Sequence, residues 1–275
     1  MLRTGEAAEH RARLTREIGE GAKTAAREAE NADLAGERQV LGSEAASMTA
    51  EERTSQAGRG FGNSNGTRLS AIYGDRLRII GYGSATERHI RDLERLPDSF
   101  HNKLLEYFAS HPEGGIDIID GPVTDVLPEL RGVTPRGWPR KKTWDGVPGL
   151  YNKSTRRVVL GGRGKHDCVS LAVHETGHAF DRAIGNASES VEFRKLYDKM
   201  DTREPYFAQP GNAGREETFA EGLAAWALNR QMPPDYRANA IAEALDISRK
   251  NRQAQGTLLD RYFSNLQHRL EPHPL

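Results

Sequence analysis

From about residue 69 onward, hydrophobic positions fall in short periodic runs punctuated by glycine and proline. Leu77, Ile79 and Ile80 lie in a four-residue run over 77–80 that reads as a strand ended by Gly81 and Gly83. Ser84 and Glu87 form a capping-box pair, and Ile90, Leu93 and Leu96 follow at helical spacing until Pro97 stops them. Phe100, Leu104, Leu105 and Phe108 share one face of a second helix over 99–110, and the apolar run 116–119 suits a buried strand. Residues 147–151 and 157–160 flank the polar turn Asn152-Lys153-Ser154-Thr155, which predicts a hairpin. A helix is expected over 168–184, closed by Gly185, and another over 188–200 with Val191, Leu196, Tyr197 and Met200 turned inward. Helices over 216–230, 236–249 and 255–270 complete the pattern, the first stopped by Pro233 and Pro234. Helices and short strands mix without a regular βαβ alternation. The class is therefore α+β, with a small mixed sheet and a mostly helical C-terminal part.

Residues 1–66 read differently. They are apolar-poor, with Phe61 as their one aromatic, and cannot bury enough surface to offset chain entropy. Good helix formers over 6–32 suit a transient or partner-bound helix, and four glycines within 54–67 read as a linker. The division expected is a flexible or partly helical segment over 1–66 and one folded domain over 67–275. Lysine plus arginine balance aspartate plus glutamate at 39 each, so no nucleic-acid surface is expected. No apolar run is long enough to span a membrane, and no signal-peptide core follows Met1. The single cysteine, Cys168, excludes an internal disulfide and carries no catalytic-cysteine signature. The basic run 136–142, with Trp138 inside it and Trp144 just after it, reads as a solvated loop anchored by its tryptophans, with recognition of an acidic substrate as the alternative.

Candidate chemistry enters with His174-Glu175-Thr176-Gly177-His178, an H-E-x-x-H pattern on an apolar helix. Positions i and i+4 share a helix face, so the two imidazoles can converge on one zinc ion. Glu175 lies about 100° round the helix, beside such an ion, where a general base for an activated water belongs. Gly177 leaves room for close packing beneath. A catalytic zinc needs a third protein ligand and one open position. The longer H-E-x-x-H-x-x-G-x-x-H pattern is excluded, because Asp181 and Ile184 stand where glycine and histidine would be needed. Asp181 is instead a candidate acceptor for a histidine N–H. Glu217 and Glu221 share a face of the 216–230 helix, so Glu217 is the expected ligand and Glu221 the carboxylate that orients a ligating histidine. Glu216 has Ala220 one turn on and lacks that support.

The stretches His174-Glu-Thr-Gly-His-Ala-Phe-Asp181 and Glu217-Thr-Phe-Ala-Glu221 resemble the protease domain of the anthrax lethal factor type. Gly149-Leu-Tyr151 and the strand over 157–160 resemble the hairpin that such domains carry before the active-site helix. The resemblance covers about residues 70–230. It implies a zincin-like fold and a zinc endopeptidase with glutamate as third ligand. It also implies a tyrosine shortly before that glutamate as donor to the oxyanion. Tyr206 is the nearest match, its spacing to Glu217 lengthened by the Gln209–Gly214 loop.

The strand over 157–160 is expected to pair with extended substrate as a sheet edge. The implied partner is a protein or peptide substrate. Export without a cleaved signal, as a bacterial effector or toxin reaching host cytoplasm, is the expected setting, with residues 1–66 as a chaperone-binding segment; a cytoplasmic location is the alternative. The competing functional class is an adaptor that keeps the zinc for stability. A purely structural zinc has no need of Glu175.

Overall fold

The structure, a computed structural model, describes residues 67–134 and 142–271. The expectations for residues 1–66 and for 136–141 of the basic run lie outside these residues. A short helix α1 (Arg68–Tyr73), not foreseen from the pattern, is capped by Thr67 and leads into strand β1 (Leu77–Ile80). Helix α2 (Ser84–Leu93) starts from Gly83, not from a capping box. Gly83 lies under Asp120, where an added Cβ would come within 2.2 Å of its Oδ1. The chain therefore enters α2 through glycine, and Ser84 becomes the first helical residue. Helix α3 (Asp98–Ala109) and strand β2 (Gly115–Ile119) follow. The predicted hairpin is present as β3 (Gly149–Asn152) and β4 (Arg157–Gly161), paired antiparallel.

The sheet order is β1-β2-β4-β3, with β1, β2 and β4 parallel. Strand β4 is thus interior, flanked by β2 and β3. This corrects the expectation that residues 157–160 form the open edge: that edge is β3. A parallel partner for β4 comes from β2, some 40 residues upstream in the register Asp117↔Val159, and no local pattern announces it.

One face of the sheet, with Ile116, Ile118, Val158 and Leu160, enters the main core. On the other face Asp117 is fully buried between two arginines. It accepts from Arg78 Nε at 2.7 Å and Nη2 at 2.5 Å, and from Arg157 Nη1 at 2.7 Å.

Helix α4 (Leu171–Ala183) carries the H-E-x-x-H residues, and α6 (Ala213–Leu228) carries Glu217 and Glu221. Between them lies α5 (Val191–Tyr197), after a 3-10 turn over Ala187–Glu189. Because Ser190 caps α5, the helix starts later than the sequence pattern suggests, and Val191 is 68% exposed instead of inward. Helices α7 (Pro234–Ala244) and α8 (Arg252–Leu270) pack together at the C-terminal end. Helix α4 is held from three sides. Phe180 stacks on Phe100 of α3 at 4.2 Å between ring centroids, a contact of about 1 kcal/mol beyond burial. Ser170 caps α4 by accepting from Val173 N, and donates to Asp92 of α2 at 2.9 Å. Gly177 faces α6 so closely that a Cβ would stand 3.1 Å from the Ala220 Cα. That glycine lets the two chemistry-bearing helices meet. Among the described residues, no helix is long and apolar enough to cross a membrane.

Candidate metal centre

The approach of α4 to α6 brings His174, His178 and Glu217 together, with one ligand atom from each lying within 4.8 Å of the others. Glu217 Oε2 is 3.1 Å from His174 Nε2 and 3.5 Å from His178 Nε2. Donors bonded tetrahedrally to zinc at ~2.0–2.1 Å stand about 3.3 Å apart. The observed separations bracket that value, so the donor set fits zinc in type and spacing.

Glu221 Oε2 accepts from His174 Nδ1 at 2.8 Å, and its Oε1 accepts from the Val169 amide at 2.7 Å. A proton on Nδ1 leaves the Nε2 lone pair directed at the centre, which is what a metal-ligating histidine requires. Glu216, by contrast, pairs with Arg182 Nη2 at 2.8 Å and accepts from Asn212 Nδ2 at 2.9 Å. Glu216 is thus engaged by Arg182 and Asn212, while Glu217 lies against the two histidines.

Electrostatics at the centre favour a cation. Burial works against charge on His178, yet Glu217 outweighs it and raises the imidazole above its ordinary value. His174 is likewise raised against burial, chiefly because the Glu217 and Glu221 carboxylates accept from its ring. Burial would raise Glu217, but the two imidazoles hold its carboxyl well below the usual carboxylate range.

Glu175 is half-buried beside the pair. Burial pushes its carboxyl up, opposed by both histidines and by a hydrogen bond from the Tyr151 backbone amide of β3. That shift is the one a general base working near neutral pH needs. Gly149 makes room for it, since a Cβ there would lie 3.3 Å from Glu175 Cγ. Strand β3 is itself tied down through Tyr151 Oη, 2.6 Å from Tyr107 Oη, with the Arg156 guanidinium over the Tyr107 ring.

Tyr206 reaches the centre despite its longer spacing. Its hydroxyl donates to Glu217 Oε2 at 2.5 Å, and burial together with the Glu217 charge pushes its ionisation well above the ordinary tyrosine range. It therefore stays a proton donor.

Asp181 does not play the part expected of it. Its two oxygens accept from Ser188 N and Oγ, both at 2.7 Å. The chain reverses after α4 through Gly185 and Asn186, both at positive φ, and brings Ser188 back onto Asp181. The carboxylate thus anchors a turn instead of orienting a histidine. Two further histidines, His89 and His101, are also buried. His89 Nε2 meets Gly161 O at 3.0 Å, and His101 Nδ1 accepts from the Tyr73 hydroxyl at 2.7 Å.

The centre lies in a cavity of about 720 Å³. Its lining includes β3 with Trp144 and Val147, and the 209–213 segment. Sequence reasoning missed Arg182 as a lining residue; its only signal is its position at i+4 from His178, on the same face of α4.

A family model described as "Anthrax toxin lethal factor, N- and C-terminal domain" matches residues 82–233. The chain belongs to this family. It is 36% identical over 126 residues to a Pro-Pro endopeptidase of Clostridioides difficile (strain 630), covering 42% of this chain and 54% of that protein. To a Pro-Pro endopeptidase of Paenibacillus alvei it is 34% identical over 113 residues, covering 39% of this chain and 50% of the relative. The chain thus spans about half the length of the curated relatives it matches. The solved structure of a Pro-Pro endopeptidase from Paenibacillus alvei superposes with a TM-score of 0.52 at 23% identity, covering 71% of this chain and 99% of that one. At that identity the likeness speaks for the fold.

Proposed function

We propose that the chain is a zinc metalloendopeptidase that hydrolyses peptide bonds of a protein substrate. The observation that carries this reading is the convergence of His174, His178 and Glu217 at zinc-like spacing, with the half-buried Glu175 carboxylate beside them on one cavity. Zinc bound there would supply Lewis-acid chemistry, polarising a carbonyl and making water more acidic. The remaining work falls to the chain's own groups.

Glu175 takes a proton from the attacking water on a carboxylate oxygen and delivers it to the leaving amine. Burial has already weakened its hold on the charged form, which suits both halves of that transfer. Glu221 keeps the His174 proton on Nδ1. Tyr206 presents a hydroxyl proton at the rim of the centre, within reach of a developing oxyanion; such a donor can contribute ~3–4 kcal/mol.

Substrate adds to the open edge of β3 in extended form, so that the Gly149 backbone and the Tyr151 carbonyl, which face away from β4, supply partners and the cavity takes alternate side chains. The apolar wall of Trp144, Val147 and Leu150 suits proline rings. Together with the names of the relatives, this makes a peptide containing Pro-Pro the first substrate to test. A target outside the producing cell is the companion proposal, supported by the toxin in the family's description. The similarity to endopeptidases does not favour the adaptor reading.

The test compares wild type with Glu175→Ala on Pro-Pro peptides and on a cell extract, with cleavage read by mass spectrometry. The variant should keep its zinc and lose at least ~100-fold in rate. Equal rates for the two proteins would sink the role given to Glu175.

A further inference from the structure

His174 and Glu221 are almost fully enclosed, at 3% and 2% exposure. A third metal-binding group meets them. Cys168 lies in the segment that runs into α4 and is half-buried. Its sulfur, a ring nitrogen of His174 and a carboxylate oxygen of Glu221 lie within 4.8 Å of one another. The backbone around it is fixed, because the Val169 amide donates to Glu221 Oε1 and His166 Nδ1 donates to the Cys168 carbonyl at 3.2 Å. The peptidase reading makes no use of this thiol.

We propose that Cys168, Glu221 and His174 form a second, inhibitory site for a thiophilic divalent cation, such as cadmium or zinc in excess. A thiolate with one carboxylate and one imidazole nitrogen is a donor set for soft and borderline ions, not for magnesium or calcium. Cys168, the least buried of the three, is the ligand an incoming ion meets first. Binding displaces the thiol proton and the His174 Nδ1 proton to solvent and leaves all three groups as donors. No oxidation is involved.

Glu221 Oε2 is the acceptor for His174 Nδ1–H, and an ion on Glu221 takes that acceptor away. His174 Nδ1 then bonds the second ion in place of Glu221, so the ring is set by that ion and no longer by the carboxylate that aims Nε2 at the resident metal. Loss of such a partner weakens metal affinity or activity about 10–100-fold. Inhibition thus arrives through the back of the histidine while Glu217 and His178 stay untouched. This inhibitory half rests on the peptidase reading; the binding half does not.

The experiment titrates the zinc-loaded 275-residue chain with cadmium, in wild type and in Cys168→Ser, with Cys168→Ala as a second variant. Three readouts are taken: the ultraviolet thiolate-to-metal charge-transfer band, bound zinc and cadmium by elemental analysis, and the rate on a Pro-Pro peptide. Wild type should gain one cadmium with the band, retain its zinc, and lose at least ~10-fold in rate, recovering when a weak chelator removes the cadmium. The variants should show the wild-type basal rate, no band and no loss. Cadmium that replaces zinc equally in all three proteins overturns the site, as does the absence of any second ion. A chain that cleaves nothing ends the peptidase reading alone, since the band and the second equivalent still decide the role of Cys168.

Discussion

Each oxygen of the Glu221 carboxylate has a single protein donor of short length, His174 Nδ1 at 2.8 Å and Val169 N at 2.7 Å. The His174 contact is buried, so its ring N–H has no substitute acceptor if the carboxylate is removed, whereas the Val169 contact is partly exposed. Glu221→Ala should therefore release the His174 ring and the segment before α4 together. We expect zinc affinity to fall about 10–100-fold, measured by competition with a chromophoric chelator. Glu221→Gln should fall between wild type and alanine, because its one carbonyl oxygen can still accept from His174. An alanine variant that holds zinc as tightly as wild type would show that His174 is oriented by packing alone. Asp181 makes the contrast at the same scale. It stands one turn from His178, yet its hydrogen bonds go to Ser188, so position on a helix face decides which groups are near and not which group they serve.

At the scale of elements, the meeting of α4 and α6 turns two local patterns into one centre, and Gly177 sets how close they come. An added Cβ would sit 3.1 Å from Ala220 Cα and 3.4 Å from Ala220 Cβ. Alanine there gains about 1 kcal/mol of helix propensity and gives some of it back in a tight contact. Valine has no such compensation, since its branched methyls must enter the α6 backbone. Gly177→Val should cost ~1–3 kcal/mol and weaken zinc binding in step, as the helices part and Glu217 leaves the histidines. Gly177→Ala should stay near wild type in both. Thermal melts of the metal-free proteins together with zinc affinities check this; a valine variant with unchanged affinity would mean the ligands do not depend on that contact.

This element pair was legible in the sequence because i and i+4 spacing is a local property, as was the hairpin with its polar turn. The position of β4 inside the sheet was not legible, because its pairing with β2 is non-local and both hairpin strands carry similar patterns. The exposure of Val191 escaped for a related reason. Ser190 caps the helix and makes Val191 its first, exposed residue, while Leu196, Tyr197 and Met200 pack against the core as expected. The nearness of Cys168 to His174 depends on the path of the loop before α4, which leaves no periodic trace.

For the molecule as a whole, stability should carry a pH signature that is separate from the metal centre. His101 of α3 is fully buried, with its Nδ1 accepting from the Tyr73 hydroxyl of α1. Burial raises the Tyr73 phenol above its usual range, so it remains the donor. Desolvation, aided by Arg68 and opposed by Asp98, lowers His101 from 6.5 to about 4. Between these two values the unfolded chain holds a proton on His101 that the folded chain does not. Stability is therefore complete above pH 6.5, falls as the pH drops towards 4, and loses no more through this group below that. The full difference amounts to about 3 kcal/mol, at 1.36 kcal/mol per unit. His89, also lowered by burial, adds a slope of the same sign. His101→Gln cannot take up the proton in either state. Urea unfolding of the metal-free chain at a series of pH values should give a shallower acid slope for the variant, whatever its stability at neutral pH. Parallel slopes for the two proteins between pH 6.5 and 4 would show that the α1–α3 contact opens to let His101 protonate without global unfolding.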